Sequence, residues 1–113
     1  MENKIEYLYI FGYETPGEAE SNRRMATDFE SSAMIRILAD SEDAALSWGH
    51  EISERFLKAI YHDDKISWKE QRFASWIEDK PEEYIRTRWA SIPVVKVGEF
   101  PGFHLWDTEA SEA

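Results

Sequence analysis

The sequence predicts a two-layer α+β sandwich: a small, mostly antiparallel sheet of about four strands, with a main helix at 41–61 packed on one face. Three observations carry this. Two segments, 4–13 and 31–39, alternate with the two-residue period of a strand. Directly after the second comes a segment with apolar residues at helical spacing. The chain has 113 residues, 42% of them hydrophobic and 14% aromatic, which suits one core and argues against intrinsic disorder.

In the first segment, Ile5, Tyr7, Tyr9 and Phe11 share one face, and Leu8 and Ile10 the other. Two apolar faces predict a central strand, covered on both sides. Next, Thr15-Pro16-Gly17-Glu18 has the pattern of a helix start, with Thr as cap, Pro at the first helical position and Glu three residues after the cap. The following residues, to Ala26, carry almost no apolar stripe, so 14–30 fits a short exposed helix or a loop. Arg23 and Arg24 are its only basic residues.

In the second strand, Ala33, Ile35, Ile37 and Ala39 line one face, and Met34, Arg36 and Leu38 the other. Asp40 or Ser41 then caps the main helix, and Glu42 and Asp43 place negative charge in its first turn, where the helix dipole favours it. Its stripe is Ala45, Trp48, Gly49, Ile52, Phe56, Ala59 and Ile60. Glu51–Arg55 and Glu54–Lys58 are spaced as i,i+4 pairs on the outer side. Gly49 interrupts a helix at a cost of about 1 kcal/mol against Ala. Its place on the stripe predicts close approach of helix and sheet.

Past the polar turn at 62–65, alternation predicts a third strand at 72–78 and a last one at 92–98, where Pro93 suggests an edge position or strand start. Residues 84–90 fit a helix or a strand equally well. The domain is expected to span 1–106, followed by a disordered acidic tail at 107–113.

The formal charge is −10, from 23 acidic and 13 basic residues. Residues 1–64 hold 14 acidic and 6 basic residues, a net of −8; residues 65–98 hold 5 and 7, a net of +2. Such acidity opposes duplex nucleic acid and favours a basic protein partner. Without cysteine, disulfides, thiol catalysis and Cys-based metal sites are excluded. No apolar run approaches membrane-spanning length, and no signal-peptide pattern is present, so a cytoplasmic location is expected.

No Gly-rich phosphate loop, nucleophile elbow or HExxH pattern occurs. No catalytic residue and no cofactor is assigned. His50 and Glu54, four apart on the helix, are weak metal candidates lacking a third ligand. The candidate partner-binding residues are Glu42, Asp43, Glu51 and Glu54 on the acidic helix, with Trp76, Arg86, Arg88 and Trp89 from the aromatic, locally basic stretch. Trp and Arg are typical anchors of protein interfaces. In general character (small, acidic, Cys-free, Trp-rich, α+β) the chain resembles bacterial toxin-neutralising immunity proteins. The expected function is a non-catalytic protein-interaction domain, of the immunity or antitoxin kind, that masks a basic partner surface. The rivals are a small metal- or carboxylate-dependent enzyme and a homo-oligomeric structural protein with aromatics buried between subunits.

Overall fold

The computed structural model describes residues 4–71, 73–80, 82 and 92–102. In chain order the elements are strand β1 (Ile5–Tyr13), helix α1 (Pro16–Met25), strand β2 (Ser31–Ala39), helix α2 (Glu42–Tyr61), a 3₁₀ turn (Lys69–Gln71), strand β3 (Ser75–Ile77) and strand β4 (Val94–Lys96). The strands form one sheet in the order β3-β1-β2-β4. β1 pairs antiparallel with both β2 and β3, and β4 adds to β2 in parallel. The architecture is the mostly antiparallel four-stranded α+β fold that the periodicity predicts. The undecided segment 84–90 and the tail at 107–113 lie outside the described residues.

β1 and β2 are the long strands, paired over nine residues from Ile5↔Ala39 to Tyr13↔Ser31. Because side chains alternate, this register places Tyr9, Phe11 and Tyr13 beside Ile35, Ala33 and Ser31 on one face. α2 covers that face with Ala45, Gly49, Ile52, Ser53, Phe56 and Leu57. Phe11 is stacked with Tyr9 at 5.6 Å between ring centroids and meets the edges of Phe56 and Trp68 at 5.5 and 6.0 Å. On the other face, Leu8 and Ile10 are buried with Ile92, and Met34 packs against them. β1 is therefore central and buried on both sides, as its two apolar faces require.

The helix ends follow local chemistry. The Ser41 hydroxyl accepts from Ala44 N–H, capping α2, with Glu42 and Asp43 in its first turn. At the other end His62 adopts the left-handed conformation, at φ 52°. The ambiguous stretch after β1 is a helix. Thr15 and Glu18 form a reciprocal capping box, and Pro16 opens the first turn.

Candidate functional site

The chemistry-bearing side chains of the described residues fall into three places. The first is the helix–sheet interface around Tyr9, which is fully buried. Its hydroxyl shares a 2.7 Å hydrogen bond with Ser53 Oγ, which in turn donates to the Gly49 carbonyl at 3.0 Å. Burial pushes the Tyr9 hydroxyl up to about 12, opposed by hydrogen bonds from Ser53 and Ser75. Ser75 also meets His50 Nε2 at 3.1 Å. Desolvation, followed by the nearby Lys69 charge, lowers the His50 pKa from 6.5, against a smaller upward pull from Glu51. Trp68 closes the cluster: its indole N–H donates to the Gly12 carbonyl at 2.8 Å, and its ring lies 5.5 Å from His50. Both Tyr9 and Ser53 are sealed from solvent, so the network joins α2 to β1 and β3 and offers no substrate a path to the phenol.

The second place is the flank of α2. Lys69 Nζ lies 2.6 Å from Glu51 Oε2. Glu54 accepts from Ser67 Oγ at 3.1 Å and Lys69 N–H at 3.0 Å, and pairs with Lys58 at 3.2 Å. Desolvation raises the Glu54 pKa, but these donors outweigh it and hold the carboxyl below its ordinary value. Lys58 also donates to the Ile66 carbonyl. Glu54, predicted both as a contact residue and as a weak metal ligand, thus ties residues 66–69 to the helix. Among the described residues no group of three or more His, Asp or Glu side chains is placed to hold a metal ion. Glu42 and Asp43 are exposed in the first turn of α2. Trp76 lies opposite Ile10 on the second sheet face, is 43% exposed, and donates from its indole to Glu78 Oε1 at 3.1 Å. Arg86, Arg88 and Trp89 lie outside the described residues.

The third place is the end of the sheet where α1 links β1 to β2. α1 has no buried residue. One side chain organises the loop that follows. Asn22 Oδ1 accepts from Phe29 N–H at 2.9 Å and from the Thr27 hydroxyl at 2.8 Å. Asn22 Nδ2 donates to the Phe29 carbonyl at 2.9 Å and to Glu14 Oε2 at 2.5 Å. Ser31 Oγ donates to Glu18 Oε2 at 2.9 Å, tying α1 to the start of β2. Between helix and loop lies a groove of about 400 Å³, lined by Thr15, Gly17, Glu18, Ser21, Met25, Phe29 and Glu30. The capping pattern that starts α1 is visible in the sequence. The role of Asn22 is not, because its four partners lie five to eight residues away and come together only when the loop turns back.

No family model, curated protein or solved structure matches the chain. Among the described residues, no helix is long and apolar enough to cross a membrane.

Proposed function

We propose that the protein is a non-catalytic interaction domain that associates with a basic protein partner and masks its charged surface, in the manner of an immunity or antitoxin protein. One observation carries this reading. Glu20, Asp28 and Glu30 at the α1 end, and Asp40, Glu42 and Asp43 at the other end of the sheet, are exposed and make no ion pair with another described residue. Carboxylates left in water at both ends of the molecule create a negative field, which steers a positively charged partner and speeds association. By contrast, the groups best suited to chemistry serve the frame: Tyr9 is sealed, His50 is bonded to Ser75, and Glu54 is occupied by three donors.

Affinity capture from the source cell at low salt, with the bound protein identified by mass spectrometry, tests this reading. The expected product is a protein with a basic surface that elutes as salt is raised. A tightly held partner that is acidic, or that resists high salt, contradicts it.

A further inference from the structure

We infer that the groove between α1 and residues 29–30 is the docking site for an arginine-bearing segment of the partner, with Met25 and Phe29 as apolar contacts and Glu18 and Glu30 as its acidic walls. This rests on the basic-partner reading and gives it a location.

α1 is an expensive element for a core to which it adds nothing. A ten-residue helix is marginal in water on its own. Here it is fixed by the Thr15–Glu18 capping box, by Glu18–Ser31 and by the Asn22 bonds to its following loop. None of this fully buries a side chain of the helix. It sets the shape of a surface.

That surface displays apolar groups in fixed positions. Phe29 is held at both its N–H and its carbonyl by Asn22, yet the residue is 58% exposed. Met25, in the last turn of α1, is 55% exposed. An exposed aromatic on a pinned backbone loses little further freedom on binding, which is the economy of a preorganised anchor. Methionine beside it adapts to an irregular partner.

Arginine is the side chain whose chemistry fits both halves of the groove. Its aliphatic stem can lie along Met25 and Phe29, and its guanidinium can face an aromatic ring or fork onto a carboxylate. Glu30 supplies such a carboxylate: it is exposed and lines the groove. Glu18 also lines the groove, and its oxygens accept from Thr15 N–H and Ser31 Oγ. Arg23 and Arg24 sit in the last turn of α1 but do not line the groove.

The test is an amide-shift titration of the full chain, labelled with nitrogen-15, using the capped tripeptide acetyl-Leu-Arg-Leu-amide and its glutamine counterpart acetyl-Leu-Gln-Leu-amide. With the arginine peptide, shifts should concentrate on Gly17, Ser21, Met25, Phe29 and Glu30. Phe29→Ala and Glu30→Gln should each weaken binding, by on the order of tenfold for Phe29→Ala. Because Phe29 and Glu30 are both exposed, both variants should keep the parent spectrum elsewhere. Equal binding of the glutamine peptide overturns the arginine assignment. Shifts centred on Glu42 and Asp43 overturn the groove as the site while leaving the basic-partner reading standing. Absence of any shift at millimolar peptide overturns the groove, and the partner reading then stands or falls on the captured protein.

Discussion

The Tyr9 ring lies directly beneath Gly49: a Cβ built on that glycine would come within 2.6–2.7 Å of three ring atoms. No side chain tolerates such a contact, and the ring cannot move away. It is stacked on Phe11, and its hydroxyl is held by Ser53 one turn further along α2. Gly49→Ala should therefore destabilise the protein. The gain in helix propensity, about 1 kcal/mol, is outweighed by overpacking of roughly 1–3 kcal/mol or more. Urea unfolding checks this, and a variant as stable as the parent would mean that the helix does not approach the sheet so closely.

Alkaline stability should depend on Tyr9. Its hydroxyl is raised to about 12 in the folded protein, against 10 for an ordinary tyrosine. Below about pH 10 the group is protonated in both states. Between about pH 10 and 12 the unfolded chain loses the proton first, so stability falls with rising pH, by about 3 kcal/mol at most. Tyr9→Phe should remove that part of the alkaline loss. Denaturant titrations of both proteins across this range provide the comparison.

His50 gives the opposite slope in acid. Burial and the Lys69 charge lower its pKa from 6.5, so on acidification the unfolded state takes up the proton before the folded state does. The stability associated with neutral His50 is present above about pH 6.5 and is lost as pH falls towards its folded pKa. Proton NMR of the imidazole should place its titration below 6.5, and Lys69→Met should move it upward. Titration above 6.5 in the parent would show that the ring is neither desolvated nor opposed by Lys69.

Asn22→Ala should separate local from global order. It removes both bonds to the Phe29 backbone and the two to Thr27 and Glu14. The Phe29 amide should exchange with solvent on the order of tenfold faster or more, because its opening no longer breaks that bond. Global stability should change by about 1 kcal/mol or less, because no residue of α1 is fully buried. Hydrogen exchange read residue by residue, alongside urea unfolding, distinguishes the two effects. A large global loss would make α1 part of the core's support.

Where residues report their environment through periodicity, the sequence shows the fold clearly. Segment 31–39 alternates and is β2; the stripe at 41–61 predicts α2, which starts one residue later after its Ser41 cap. Gly49 is legible for the same reason, as a break in a stripe that only close packing explains. The short edge strands are blurred: 72–78 and 92–98 are reduced to Ser75–Ile77 and Val94–Lys96. Three residues are too few for a period to register. Ser53 is the clearest omission from the predicted stripe. A serine reads as a surface residue until its partner is known, and Tyr9 lies 44 positions away. The third place was hidden for a related reason. Met25, Phe29 and Glu30 have no spacing in common, and they share a groove only because Asn22 folds the loop back against α1.

The association rate with the captured partner, measured as salt is varied, tests the proposed charge steering most directly. With exposed carboxylates at both ends of the sheet steering the encounter, the rate constant should fall on the order of tenfold or more between about 20 mM and about 500 mM salt. The dissociation rate should change far less. An association rate that is flat across that range would contradict the account.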